Sequence, residues 1–299
     1  MRVKFKLHHF TILCEDLAQS TAFYCDMLGN QLVARRPAGQ QPPAVFVGNG
    51  SDALIELLGP PFQPEQQAFI EKRAYGIYQL GFQVDDLEAA YRQLKEGGVA
   101  VVEAPHEVDG RKYCAFVDPD GVRLEVFQPA RDGAETLPTI DPSAGLRLHH
   151  IDLLSDDWQR SLRFYEDHFG LRSVLEYLDD SGGAFLFLAD AFFDSERHNF
   201  LLEIIGPPYD EEREHVFYAK YGTGLDHLAY VAEDVPARWK EALERGARNM
   251  VDPYQDYGID IAWVKDPGGN DVEIMNPIPD HIIETARESG KAYRLIDTL

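Results

Sequence analysis

The chain repeats itself, and that constrains its fold more than any other feature. The stretch LHHFTILCEDLAQSTAFYCDMLG, from Leu7, returns as LHHIDLLSDDWQRSLRFYEDHFG, from Leu148. Each copy reads as an apolar strand, an acidic turn and an amphipathic helix carrying Phe-Tyr. A glycine (Gly29, Gly170) then stands where a left-handed helix cap is wanted. Further on, ALIELLGPP matches FLLEIIGPP, and FVDPDGVRLEVFQP matches WVKDPGGNDVEIMNP. The offset grows from 141 residues (His9 to His150) to 148 (Glu125 to Glu273), and an insertion near Asp194–Asn199 absorbs most of the difference. A fainter repeat lies inside each half, at IYQLGFQVDDLEAAYRQLKEGG and LDHLAYVAEDVPARWKEALERGA. Short apolar stretches separated by Pro, Gly and Asp follow each helix, as strands between turns would.

A period of this kind implies repeated supersecondary units that bury a core together. The reading is α+β, with four strand–helix–strands (βαβββ) units paired into two domains. The expected division is a first domain over 1–130, a linker over 131–147, a second domain over 148–278 and a helical tail over 279–299. The linker is rich in Asp, Pro, Gly and Thr, and Asp280 is a ready N-cap for the tail.

One glutamate recurs in the closing strand of every unit. In LIELLGPP, RLEVFQP, LLEIIGPP and VEIMNP these are Glu56, Glu125, Glu203 and Glu273. By two-residue alternation Glu56 shares a sheet face with Leu54 and Leu58, and Glu203 with Leu201 and Ile205. Such a carboxylate is costly to bury unless a cation or hydrogen-bond donors receive it. The first strands place His9, Gln79, His150 and His227 at equivalent points, 47, 46, 53 and 46 residues before those glutamates. Packing needs alone do not produce two coordinating groups per unit in register. Imidazole and carboxylate together suit Fe, Co, Ni, Zn or Mn as a divalent ion, and leave positions open for a bidentate substrate. His8 and His149 each precede a candidate ligand, and strict alternation turns them to the opposite face as structural residues.

Several function classes are disfavoured by composition. A net charge of −23 repels nucleic acid and anionic membranes, and no apolar run reaches the roughly 18–20 residues that span a bilayer. Cys14, Cys25 and Cys114 form no CxxC pair, which suits free thiols in a reducing compartment. The N-terminal MRVKFKLHHF lacks a secretory pattern. The expectation is a cytoplasmic protein acting on a small molecule, with a homodimer as the permitted assembly.

At the repeated His and Glu positions the chain resembles the vicinal oxygen chelate superfamily, over Leu7–Pro129 and Leu148–Pro277. That group includes glyoxalase I, methylmalonyl-CoA epimerase, extradiol dioxygenases and bleomycin- or fosfomycin-resistance proteins. The stretches IELLGPP, FIEKRAYGIYQLGFQVDDLEAAYRQLKEGGV and YAKYGTGLDHLAYVAEDV are most similar to the epimerase. The resemblance implies paired units curled into a cup, with one metal ion on the concave face. It carries the ligand positions to His9 or His150, Glu56 or Glu203, Gln79 or His227, and Glu125 or Glu273. Gln79 weakens the first set. The second, His150, His227, Glu273 and Glu203, is complete. Superfamily members also exchange units between domains, which would assemble His9, Glu56, His227 and Glu273 instead. The epimerase-like sequence favours the unexchanged pairing.

Three functions follow from the resemblance. The first is metal-dependent proton transfer next to a carbonyl (isomerase, epimerase or lyase), on a substrate with vicinal oxygens and with Glu203 as the catalytic base. The second is Fe(II) ring cleavage by His150, His227 and Glu273. Against it, Trp263 stands where extradiol enzymes place a Tyr, and the upstream DPYQDYGIDIA holds Tyr254, Asp256 and Tyr257 but no His. The third is a non-catalytic small-molecule-binding protein. A coenzyme A substrate is not implied, because Arg35-Arg36 is the one weak candidate for its phosphates.

Overall fold

Each of the four acidic turns caps a helix. Asp16 accepts hydrogen bonds from the Ala18 and Gln19 amides, Asp86 from Ala89, Asp157 from Arg160 and Asp234 from Ala237. A carboxylate there satisfies amides that have no partner inside the helix. Helices α1 (Leu17–Ala22) and α4 (Trp158–Phe164) continue as π-helical turns over Phe23–Met27 and Tyr165–Phe169. Gly29 (φ 73°) and Gly170 (φ 69°) then close them in the left-handed conformation. Helices α3 (Leu87–Glu96) and α6 (Val235–Glu244) belong to the inner repeats, while α2 (Pro64–Arg73) and α5 (Glu212–Tyr221) connect the units of each half.

The computed structural model describes residues 2–36, 39–49, 53–108, 110–130, 146–178, 183–192, 200–209, 212–256 and 258–277. The expected linker, apart from its last two residues, and the helical tail lie outside these, as do the insertion near Asp194–Asn199 and Tyr257.

The strands form two mixed eight-stranded sheets. The first contains β1 (Lys6–Leu13), β2 (Gln31–Arg35), β3 (Ala44–Gly48), β4 (Leu54–Leu58), β5 (Ile77–Gln83), β6 (Ala100–Val108), β7 (Arg111–Val117) and β8 (Arg123–Gln128). Its order is β2-β3-β4-β1-β5-β8-β7-β6. The second contains β9 (Arg147–Leu154), β10 (Arg172–Leu178), β11 (Ala184–Ala189), β12 (Leu201–Gly206), β13 (Gly224–Val231), β14 (Arg248–Asp256), β15 (Ile259–Lys265) and β16 (Asp271–Met275). Its order, β10-β11-β12-β9-β13-β16-β15-β14, repeats the first. In both, the first strands of two units pair antiparallel at the centre and each closing strand runs parallel to its own first strand. Units therefore pair within each half, and His150 lies on the strand beside that of His227.

The halves share one core. Phe10, Ile12, Leu80 and Phe82 of the first sheet join Ile151, Leu153, Leu228 and Tyr230 of the second in a single buried cluster, with Tyr24, Tyr165 and Phe169 from the helical segments. Phe169 packs on Phe5 and Phe82 with ring centroids 5.0 and 4.6 Å away, and Phe10 stacks on Phe200 at 5.6 Å. Two reciprocal hydrogen bonds cross this boundary. The Tyr24 hydroxyl donates to Asp266 at 3.0 Å and the Tyr165 hydroxyl to Asp118 at 2.7 Å. Tyr24→Phe and Tyr165→Phe each leave a buried carboxylate one donor short, which costs about 1–3 kcal/mol. Calorimetric melting should show both variants less stable than wild type; unchanged melting would mean the crossing bonds contribute nothing. The helix-bearing faces are thus consumed by the shared core, and the opposite face of each sheet is left to carry the polar groups.

Candidate metal centre

On that opposite face the second sheet gathers its four sequence-expected residues. His150 comes from β9, Glu203 from β12, His227 from β13 and Glu273 from β16, all nearly fully buried. His150 Nε2 lies 2.9 Å from Glu203 Oε2 and 3.4 Å from Glu273 Oε2, and His227 Nε2 lies 3.6 Å from the same Glu273 oxygen. Ligand atoms bonded at about 2.1 Å sit roughly 3.0 Å apart around an octahedral ion and about 3.4 Å apart around a tetrahedral one. The observed spacings have that size. Despite its proximity to Glu203, His150 Nε2 makes no hydrogen bond among the described residues. A cation shared with Glu203 and Glu273 would meet this nitrogen.

Two irregularities in the β9/β13 ladder shape the site. Ala229 pairs with His150 and Tyr230 with Leu148, so His149 is an extra residue on its strand. This bulge breaks two-residue alternation. Contrary to the sequence expectation, His149 does not simply face away: its Nδ1 lies 2.7 Å from His150 Nδ1. His8 contacts His9 in the same way at 3.0 Å. Burial, then the neighbouring His150, holds the His149 imidazole down to about 3. A neutral His149 can accept the Nδ1 proton of His150, which leaves Nε2 free to bind.

The second irregularity pairs Leu225 with Leu153 and Leu228 with Ile151. Asp226 and His227 therefore both face Asp152. His227 Nδ1 lies 3.3 Å from Asp226 and 3.5 Å from Asp152. Asp226 also forms an ion pair with Arg213, whose guanidinium stacks over the Trp263 ring at 4.3 Å. Neither Asp152 nor Asp226 stood out in the sequence. The available signal was an acidic residue two positions after a ligand in an otherwise apolar strand, and another immediately before one.

Aromatic rings flank the group. Phe187 pairs across the ladder with Glu203 and stands edge-on to His150 at 5.2 Å; Trp263 pairs with Glu273 and stands edge-on to His227 at 5.0 Å.

The first sheet holds the corresponding residues in a different state. His9 Nε2 is 3.6 Å from Glu125 and 3.9 Å from Glu56. Arg36 donates to Glu56 at 3.0 Å and Thr11 to the same carboxylate at 2.6 Å. Gln79 donates to Thr11 and Glu125 at 3.2 and 3.3 Å, and Arg123 donates to Gln79 at 3.1 Å. Protein donors, two of them cationic, satisfy what a metal would satisfy. Arg36 is thereby committed and not free for phosphate. The His9 ring also covers Gly81, where a Cβ would lie 2.1 Å from its Cε1, whereas Ala229 stands opposite His150.

Burial opposes a charge on His150, yet Glu203 and Glu273 raise its pKa to about 9; burial likewise opposes protonation of His227, which its carboxylate neighbours raise. A raised histidine contributes stability that is complete below its unfolded value near 6.5 and lost as pH rises through the folded value. Metal-stripped protein should therefore lose thermal stability between about pH 6.5 and 9, a loss that metal-loaded protein escapes because the ion replaces the protons. A flat profile for stripped protein over that window would refute the arrangement.

A family model described as Glyoxalase/Bleomycin resistance protein/Dioxygenase superfamily matches residues 6–126 and 147–274. The chain is 35% identical over 128 residues to the uncharacterized protein YaeR of Escherichia coli, covering 41% of this chain and 95% of that protein. It is 23% identical over 305 residues to glyoxalase I of Saccharomyces cerevisiae, covering 90% of this chain and 91% of the relative. A mutant 4-hydroxymandelate synthase from Streptomyces coelicolor superposes with a TM-score of 0.67 at 16% identity, covering 97% of this chain and 98% of that one. This last likeness is one of fold.

Proposed function

Because the chain belongs to the glyoxalase/bleomycin resistance protein/dioxygenase superfamily, we propose that its second half is a divalent-metal-dependent active centre that moves a proton next to a carbonyl of a small substrate, as isomerases, epimerases and lyases do. The observation that carries this reading is the convergence of His150, His227, Glu203 and Glu273 around the unbonded, buried His150 Nε2. Two imidazoles with carboxylates suit Fe, Co, Ni, Zn or Mn. A bound ion supplies Lewis-acid charge that grips two neighbouring substrate oxygens and steadies negative charge developing on them.

The chain's own groups do the remainder. His149 and the Asp226/Asp152 pair fix the two ligand rings through their outer nitrogens. Phe187 and Trp263 wall the site and exclude water from the reacting carbon. Glu203 takes the α-proton on its carboxylate and returns it, a role suited to an acceptor among Leu201, Ile205 and Phe187.

A second reading is oxidative cleavage of an aromatic ring with Fe(II) held by His150, His227 and Glu273. The rings of Phe187 and Trp263 beside His150 and His227 favour it, since aromatic neighbours suit a flat aromatic substrate. One experiment separates the two. Protein loaded in turn with each of the five metals is incubated in deuterated water with α-hydroxyketones, 2-oxo acids and catechols. Deuterium entering the carbon beside the carbonyl, without oxygen uptake, is the expected result. Oxygen consumption confined to Fe(II) protein with catechols would replace the first reading by the second, and metal-loaded protein inert to all would defeat both.

A further inference from the structure

Behind the four ligands lies a buried carboxylate that no other contact accounts for. Asp152 is fully buried on β9, and neither of its oxygens makes a hydrogen bond among the described residues. Its polar neighbour is His227 Nδ1, 3.5 Å from Oδ2. The charge of Asp226, by contrast, is already met by Arg213. A bare carboxylate at such depth is expensive, and replacing it with an apolar residue of similar size would be the cheaper way to fill the space.

The first sheet is an internal control. Thr11 stands opposite Glu56 as Asp152 stands opposite Glu203, and Gln79 occupies the place of His227. The position of Asp226 is taken by Tyr78. All three members of the cluster differ together, and Thr11 meets Gln79 directly, accepting from its Nε2 at 3.2 Å. Where the imidazole is missing, both of its carboxylates are missing too. Glu56 and Glu125 persist there without them.

We propose that Asp152 is a positioning residue for His227, holding the imidazole proton on Nδ1 so that the Nε2 lone pair faces the metal. The inference rests on the metal-centre reading above. The Nδ1 proton is hydrogen-bonded to Asp226 at 3.3 Å, a carboxylate shared with Arg213. Asp152, 3.5 Å from the same nitrogen and without such a partner, adds a second acceptor on that edge of the ring, which favours the proton on Nδ1 and raises the donor strength of Nε2. An asparagine in its place can turn its amide NH2 toward Nδ1, which moves the ring proton to Nε2 and blocks ligation.

The test is Co(II) binding to the metal-stripped full chain, followed by competition with a chelator and by the visible ligand-field spectrum. Wild type should bind one Co(II). Asp152→Asn should weaken it by roughly 10–100-fold and shift the spectrum, while circular dichroism of the metal-free variant shows the fold retained. Asp152→Thr, the first half's own residue, should behave alike and covers the chance that the asparagine variant folds poorly. In metal-stripped wild type, at a pH high enough for the His227 ring to keep a single proton, its nitrogen NMR signals should place that proton on Nδ1. Wild-type affinity and spectrum in both variants, or that single proton on Nε2, would overturn the assignment while leaving the metal reading intact. Absence of Co(II) binding by wild type would instead remove the metal reading, and this inference with it.

Discussion

His150→Ala should leave the protein without tightly held metal, whereas His9→Ala should retain about one ion per chain. The contrast follows from how the units pair. β9 and β13 are neighbours in one sheet, so His150 completes the set of His227, Glu203 and Glu273, while His9 belongs to a cup occupied by Arg36, Gln79 and Arg123. The substitution removes a nitrogen that lies 2.9 Å from Glu203 and 3.4 Å from Glu273, and the shortened donor set should hold an ion far less tightly. Elemental analysis after desalting is the measurement, with occupancy expected to fall below about a tenth in His150→Ala. Loss of the ion in His9→Ala, with His150→Ala unaffected, would mean that the wrong half has been assigned.

Glu203→Gln should retain the ion but slow proton transfer by about 10²–10⁴-fold, the range over which a positioned general base acts. The amide keeps the shape of the side chain and one oxygen for coordination, but cannot accept the substrate proton. Metal content and deuterium wash-in are to be measured on the same preparation, because that separates a lost base from a lost ligand. A rate within threefold of wild type would remove Glu203 from the chemistry and leave it a spectator or a simple ligand.

The convergence of His150, His227, Glu203 and Glu273 on one face was legible because it depends on strand phase, a local property. A glutamate between leucines in LIELL or LLEII reports its own face, and repetition of the pattern makes chance a poor explanation. The four helix starts were legible for the same reason, as an aspartate before an amphipathic run is a cap wherever the helix later packs. What escaped depends on how one strand meets another. The bulge that turns His149 toward His150 is set by the pairing of β9 with β13, as is the one that aims both Asp226 and His227 at Asp152, and neither can be read from one strand alone. The choice between exchanged and unexchanged units was open because both arrangements bury the same faces. The filling of the first cup was hidden as well. Arg36 follows an edge strand and Arg123 opens a closing strand, and nothing local says that their guanidiniums reach Glu56 and Gln79.

The core shared between the sheets bears on how such a chain can drift. The helix-bearing face of the first half is buried against the second, through Phe5, Phe10, Phe82 and Tyr24, so deleting that half would strand an apolar surface in water. Its cup carries no such obligation. Substitutions there escape the penalty of an exposed core, and if the chemistry resides in the second half they escape the penalty of lost turnover as well. The first half is then an obligate companion with an expendable interior: its outward cup is free to wander toward a new ligand, while its inward face stays pinned by the neighbour it supports.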